Sequence, residues 1–599
     1  MKIKKIKNLA LQSYKDVLAV AVIWAVVTVL VIGFFDLREG SLKVPLSYSG
    51  GDDFSIYNTV RMVQESGWNT GTDRLSAMDE YYYNNNEIIS GLHQADVFLA
   101  GVFLLVGGGD VFLAANLVYL SIFYLASLIM YVVLRLLGIN RWIAGSGALV
   151  YAFLAFVFMR GMGHISLSSH YFVPLAVLMA LWVYEDEKFM LPCKGFFKYR
   201  RNIGGLIMAF LVAVQGIGYW QVFGCFILLI AAVTGWFKNG DRKAILRGIT
   251  AIGAIVVCVL VCCIPVFVSM AMGGSMAASG RPRFGTEGEA YGLKIVQLFL
   301  PVNGHGIDAW QECLDLYNEN MPLVNENSSA YLGLVGIVGF LVLCVWLVLG
   351  RTSAKANSAK DARLSKRLTL LADVTICAVL LATVGGFGSM LYLAGFNILR
   401  SYNRISVYIA CISIVAACLS VQWLYERIKN AGSKILYVVV VIAFMLFAVW
   451  EQNPGYEIDY EGNKNAVESD AAFVADIESV MDEDDKVFQL PYVAFPEDEA
   501  HYDMQPLEHL KGFIASDKLR WSYGAMPQSQ SDIWYRETAD MGAADMVAEV
   551  SKKGFDGVYI NRAGYTKEQW MALEKELEGL LGVEPIVSKD ERLSFFKLR

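Results

Sequence analysis

Long apolar runs alternate with short charged turns as far as Trp450, where the pattern stops. A hydrocarbon core about 30 Å thick needs about twenty helical residues to cross it. Roughly eleven stretches approach or exceed that length: 17–35, 111–137, 142–159, 166–184, 203–218, 219–237, 248–272, 329–349, 368–386, 404–424 and 433–450. Within 203–237, Gly216 and Gly218 with the polar Gln215 and Gln221 predict a turn between two short helices. The first run follows a basic Met1–Lys7, as a signal peptide would. It is about twenty residues long and has no small-x-small site before Asp36, so it reads as a retained helix.

Lysine and arginine placement orients these spans. Arg135–Arg141, Lys188–Arg201, Lys238–Arg247, Arg351–Arg367 and Arg427–Lys434 are basic and, with the N-terminal tail, are expected on the cytoplasmic side. Eleven spans then place the C-terminus outside. Two outer loops are too long for mere connections, about 36–110 and 273–328. The first holds a short apolar piece near Val97–Val106 that is expected to lie in the interface or re-enter. A shorter polar insert near Gly386–Arg404 completes the outer face, and Thr352–Lys366 reads as a flexible cytoplasmic connection. Past Trp450, Ser469–Met481, Ala543–Lys553 and Thr566–Leu580 predict helices, and Val487–Leu490, Gly557–Ile560 and Leu593–Lys597 predict strands. The predicted architecture is an α-helical polytopic membrane domain, 1–450, followed by an extracytoplasmic α/β domain, 451–599.

Composition sharpens this in three ways. At 56% hydrophobic and 18% charged residues over 599 positions, the chain is not an ordinary soluble protein. Its net charge of −7 sums unlike parts, and with no basic stripe nothing points to nucleic acid. Most of the ten cysteines sit in apolar runs, and no Cys/His spacing suggests zinc or a disulfide framework.

The candidate chemistry gathers on the outer side. Gly51-Asp52-Asp53-Phe54 follows the first span, where a carboxylate could act as general base or hold a metal. Equally, an Asp before Phe54-Ser55-Ile56-Tyr57 suits the start of an interfacial helix. Arg281 and Arg283 in the second long loop, followed by Glu287, Glu289, Tyr291, Lys294 and His305, suit a phosphate or pyrophosphate. Anchoring to anionic headgroups is the alternative for the arginines, and His305 reads equally as a hydrogen-bonded loop histidine. Arg400 and Arg404 sit at the outer end of an apolar helix, where they snorkel or enter a polar cavity. Arg160, His164 and His170 near the fourth span could line the same cavity, although an isolated membrane histidine is more often a packing hydrogen-bond donor. Tyr219 and Trp220 read first as an aromatic belt and second as a sugar platform. Trp521, Tyr523, Trp534 and Tyr535 read as core before they read as glycan contacts. Inside the spans, Asp373 is the main acidic exception, so outward chemistry is favoured over a path through the bilayer.

This layout resembles the GT-C superfamily of membrane glycosyltransferases, with its acidic motif in the first extracytoplasmic loop. Ala290-Tyr291-Gly292-Leu293-Lys294 and Leu300-Pro301-Val302-Asn303-Gly304-His305 also resemble a bacterial family of YfhO-like membrane proteins, often labelled phosphoglycerol transferases. Leu519-Arg520-Trp521-Ser522-Tyr523-Gly524 and Gly554-Phe555-Asp556-Gly557-Val558-Tyr559 add to that likeness. A sulfatase-type centre needs a Thr or Ser nucleophile among metal-binding Asp and His, and His501 and His509 are the only histidines after Trp450. The GT-C resemblance implies a polyprenyl-phosphate-linked sugar as donor, a glycan or lipid acceptor, and membrane lipids as surroundings. It gives the base to Asp52 or Asp53, and lipid-phosphate contacts to Arg281, Arg283, His305 and Arg404. Arg160, His164, His170, Tyr219, Glu287, Glu289 and Arg400 would line the pocket. A divalent cation, Mg or Mn, would sit on Asp52 or Asp53. The alternatives are a transporter or flippase for a lipid-linked glycan, or a non-catalytic assembly factor for an envelope polymer.

Overall fold

A computed structural model describes residues 2–67, 71–77, 82–83, 94–216, 218–264, 267, 286–321, 329–350, 358–396, 399–455, 457–495, 501–525 and 529–598. Each of the eleven apolar runs contains a helix. The helices that matter below are α1 (Lys2–Phe34), α2 (Phe54–Ser66), α3 (Gln94–Val106), α4 (Val111–Leu136), α5 (Arg141–Ala152), α6 (Ala155–Arg160), α7 (Ile165–Ser168) and α8 (Val173–Glu185). They continue as α9 (Arg200–Ala213), α10 (Tyr219–Asn239), α11 (Lys243–Cys262), α12 (Gly333–Leu349), α13 (Ala359–Ala382), α14 (Ser406–Arg427) and α15 (Ala431–Trp450). Among the described residues, 8 helices or helix pairs are long and apolar enough to cross a bilayer, which makes this a polytopic membrane protein.

Local sequence sets many of the helix ends. Asp110 accepts from the Leu113 amide at 2.9 Å, Asn140 from Trp142 at 3.0 Å and Asn430 from Ser433 at 3.2 Å, each capping the helix that follows. The expected turn inside 203–237 is present: α9 stops at Ala213, and Gly216 and Gly218 carry φ of 61° and 85°. Two runs read as continuous spans are broken instead. Phe153 and Leu154 separate α5 from α6, and residues 169–172 separate α7 from α8, whose first turn holds Pro174. Residues 359–366, read as part of a flexible connection, are the first turns of α13, capped by Ser358. The short apolar piece is α3, which buries Val97, Ala100 and Leu104 and leaves Phe98 and Leu105 outward. That is the division expected of an interfacial helix.

The first long loop holds the short antiparallel pair β1 (Gly71–Thr72) and β2 (Tyr82–Tyr83), and past Trp450 the three predicted strands occur within β3 (Lys486–Leu490), β5 (Gly557–Asn561) and β7 (Leu593–Lys597). With the two-residue β4 (Arg520–Trp521) and β6 (Ile586–Val587) they form a five-stranded sheet, order β4-β3-β5-β7-β6. The β3 strand pairs in parallel with β4 and β5, while β7 runs antiparallel to β5 and β6. Helix Tyr460–Val480 begins earlier than expected because Asp459 caps it through the Gly462 amide at 2.8 Å.

The first long loop, which follows α1, is sewn into this sheet. Trp521 donates its amide to the Arg74 carbonyl at 2.7 Å, and Ser76 donates to the Tyr523 carbonyl at 2.9 Å, so residues 74–76 extend the β4 edge. Arg61 and Arg74 both donate to the Ser516 carbonyl, at 2.6 and 2.7 Å. The Leu507 amide donates to the Gly50 carbonyl at 2.9 Å. The acidic motif is therefore held between the membrane helices and the sheet domain.

Candidate functional site

The two adjacent carboxylates have different fates. Asp53 is buried, and its carboxylate accepts from Ser47 Oγ at 2.9 Å, the Ser49 amide at 2.7 Å and Ser49 Oγ at 2.7 Å. It precedes α2 but makes no side-chain cap to it, so it ties down the loop in front of the helix. Tyr57 Oη closes the same loop by donating to the Ser47 carbonyl at 2.5 Å. Further back, Asn116 of α4 accepts from the Leu46 amide and donates to the Leu42 and Val44 carbonyls. Asp52, on the rim of this clamped loop, has a side chain 67% exposed. Its Oδ2 lies 3.4 Å from Nε2 of His164, itself 40% exposed.

His164 reaches Asp52 because of the break after α6. The chain turns at Gly161, φ 50°, and His164 becomes the residue before α7. At Gly163 a Cβ would stand 3.6 Å from Asp52 Cβ, so this turn packs directly on the acidic loop. Arg160, at the end of α6, is buried with its guanidinium over the Phe156 ring and Nη2 donating to Ser329 Oγ at 3.0 Å.

The other side of α7 leads to a second polar group. Trp220 donates its indole N–H to the Ser166 carbonyl at 3.3 Å, which places the start of α10 against α7. Beside it, Tyr219 lies under the Arg404 guanidinium, 4.5 Å from ring centroid to Cζ, and its hydroxyl accepts from the Ser401 amide at 3.4 Å. Arg400 lies 4.0 Å from Glu287 and over the Tyr291 ring. Glu289 accepts from the Gly385 amide at 2.9 Å and from Ser389 Oγ. The Asn403 amide donates to the Tyr291 carbonyl at 3.2 Å, completing the seam between 286–294 and 383–404. Glu287, Glu289, Tyr219, Arg400 and Arg404, chosen from distant parts of the sequence, therefore share one neighbourhood.

His305 lies in a different cluster. Its ring is buried, with Nε2 3.4 Å from Glu451 Oε2, Nδ1 accepting from the Ile307 amide at 3.1 Å, and Trp310 packed on its face. Glu451 also accepts from Tyr331 Oη at 2.7 Å and the Leu334 amide at 2.8 Å. Burial pushes the Glu451 carboxyl above its ordinary range, and its three hydrogen bonds oppose that. Such enclosure suits a joint between the loop that carries His305 and the ends of α12 and α15. His170 is also enclosed, both ring nitrogens facing backbone carbonyls of Ser168 and Tyr151. Arg281 and Arg283 lie outside the described residues.

Several readings are corrected by burial. Trp220 is fully buried, so it packs the core rather than forming an interfacial belt. Gln215 accepts from the Phe172 amide and Gln221 donates to the Ala213 and Gln215 carbonyls, closing the helix break. Trp521, Tyr523 and Tyr535 are core, as read first, and Trp534 stacks on Phe555. Asp373 pairs with Lys238 at the far end of α10. Sequence reasoning passed over Asp96 on α3, which accepts from Ser169 Oγ at 2.8 Å and Tyr171 Oη at 3.1 Å. A lone carboxylate opening an apolar helix was the signal for it.

The fold and the site define a polytopic helical membrane protein in which the loop carrying Asp52 and Asp53 is clamped between the spans and a mixed α/β domain. Residues 109–446, more than half of the chain, match the family described as a domain of unknown function, DUF6311, and the chain belongs to that family. No curated protein matches it. Among solved structures it is similar to the Archaeoglobus fulgidus oligosaccharyltransferase in complex with Zn and sulfate, at 11% identity and a TM-score of 0.44 over 92% of this chain and 69% of that one. It is similar also to the arabinofuranosyltransferase AftD from Mycobacteria, at 13% identity and a TM-score of 0.48 over 91% and 35%. ArnT from Cupriavidus metallidurans bound to undecaprenyl phosphate gives 12% identity and a TM-score of 0.45 over 97% and 98%.

Proposed function

We propose that the protein is a GT-C-like inverting glycosyltransferase that moves a sugar from a polyprenyl-phosphate donor to a glycan or lipid acceptor at the outer membrane face. The observation that carries this reading is the short α7 helix, which follows the His164–Asp52 pair and is met at Ser166 by Trp220, whose neighbour Tyr219 packs under Arg404. A carboxylate and a guanidinium positioned through one short helix can serve the two ends of a displacement.

Asp52 is the better base of the two acids because Asp53 already holds three hydrogen bonds. Its carboxylate takes the acceptor hydroxyl proton as that oxygen bonds to the anomeric carbon, and the bond from that carbon to the phosphate oxygen breaks. His164 keeps Asp52 oriented. Charge growing on the departing lipid phosphate is met by Arg404, with Arg281 and Arg283 as further candidates. A phosphate leaving group needs no general acid, so one carboxylate suffices, unlike the paired acids of glycoside hydrolysis.

Among the described residues no three His, Cys, Asp or Glu side chains converge. A Mg or Mn ion at this loop would rest on Asp52 and draw its other ligands from water and substrate phosphate, where it would neutralise leaving-group charge.

The test is purified protein assayed against a panel of polyprenyl-phosphate sugars for release of the free lipid phosphate. Wild type should turn over at least one donor, and Asp52→Asn should bind it without turnover. Lipid-linked glycan movement that survives Asp52→Asn would instead favour a flippase, and unchanged envelope assembly after replacing the whole acidic motif would favour an assembly factor.

A further inference from the structure

At the end of the membrane domain opposite the acidic loop, an elongated groove of about 440 Å³ runs between α1 and α15. Its floor is α5, where Gly145 and Ser146 present little bulk and Leu149 closes the deep end. Val22, Ile442 and Leu446 form apolar walls. The mouth is different in character, with Lys15, Arg141 and Trp142 around it.

The dimensions match one leaflet. Along α1 the groove extends from Lys15 to Val26, eleven residue steps, which is about 16 Å at 1.5 Å rise. Half of a hydrocarbon core about 30 Å thick is nearly the same depth. An apolar slot of that length with cations at its mouth and an indole beside them complements an acyl chain below an anionic headgroup. Lys15 is exposed, and Arg141 lies 3.4 Å from Asp16, which Arg135 also approaches at 3.0 Å. One carboxylate thus shares two guanidinium groups, and with Lys15 the mouth remains net positive.

We infer that this groove is a binding site for an anionic phospholipid of the leaflet opposite the Asp52 face, one acyl chain lying along Gly145 and Ser146 and the phosphate at Lys15 and Arg141. The two flanking helices, α1 and α15, are the least embedded of the candidate spans. Their other ends lead into the acidic loop and into Glu451. A lipid in this slot fills the space between them and holds their spacing. This site is separate from the proposed reaction centre and stands whether or not that reading holds.

The experiment uses the full-length protein reconstituted in nanodiscs of phosphatidylcholine with one part in ten phosphatidylglycerol, then released into detergent and weighed intact by native mass spectrometry. Wild type should retain one phosphatidylglycerol, enriched about tenfold or more over the supplied ratio, as two cations near a phosphate would give. Lys15→Gln, an exposed change that leaves Arg141 in place, should lower the enrichment about fivefold. Leu446→Trp, which fills the groove from a lipid-facing position, should remove the retained lipid while the melting temperature without phosphatidylglycerol stays close to wild type. Retention of the two lipids in the supplied proportion would mean annular lipid only and would overturn the proposal. So would undiminished enrichment in both variants, or a change from monomer to dimer in Leu446→Trp, which would make the groove a self-association face.

Discussion

Nε2 of His164 lies 3.4 Å from Oδ2 of Asp52, although 112 positions separate the two residues in the chain. The pair exists because helix breaks on both sides of α6 and α7 turn the chain back, so that the turn at Gly163 packs on the acidic loop. If Asp52 is the base, His164→Ala should lower turnover by about tenfold or more through lost orientation, with a smaller loss for His164→Gln. Both side chains are substantially exposed, so stability should change by less than about 0.5 kcal/mol. Initial rates of lipid-phosphate release, read beside a thermal melt of each variant, separate the two effects.

Asp53→Ala should behave in the opposite way. Three donors from Ser47 and Ser49 lose a charged acceptor inside a closed loop, at roughly 1–3 kcal/mol for a buried polar group left unpaired. The melting temperature should fall clearly, and Ser49→Ala should show part of the same loss. A stable Asp53→Ala protein that is catalytically dead would transfer the base role to Asp53.

Glu451 holds three segments together through Tyr331, Leu334 and His305. Glu451→Ala should cost roughly 3 kcal/mol or more, because it strands buried donors on all three. Glu451→Gln keeps an acceptor oxygen and removes the penalty for a buried charge, so it should cost much less. Detergent-solubilised melts of the two variants check the ordering, and equal losses would refute it.

His509 gives the sheet domain a pH response. It is buried with Nε2 against the Pro491 carbonyl at 2.9 Å, and burial pushes its imidazole down to about 4. Between pH 6.5 and 4 the unfolded chain binds a proton that the folded one refuses. Stability is therefore complete above 6.5 and falls with pH toward 4, by roughly 3 kcal/mol in total. His509→Gln should flatten that part of the stability curve, measured by chemical unfolding followed through fluorescence of the buried Trp521.

Much of the architecture was legible because lipid forces every backbone polar group into helical hydrogen bonds, so apolar length by itself predicts spans. All eleven runs contain helices, though among the described residues only 8 helices or helix pairs are long and apolar enough to cross a bilayer; the turn at Gly216 and Gly218 is where the glycines put it, and the three segments read as strands after Trp450 are strands. The sequence could also assemble Glu287, Glu289, Arg400 and Arg404 as outer-face polar groups, since charge at a span's edge is costly unless it has a use. Which of two adjacent aspartates faces water was beyond it. That depends on Ser47 and Ser49 folding back on Asp53, a three-dimensional event with no periodicity to announce it. The same holds for His305, enclosed by a glutamate 146 positions away, and for residues 74–76, joined to the edge of a distant sheet. Hydrophobic pattern decided where the chain crosses the membrane; long-range packing decided which polar groups remain available once it has.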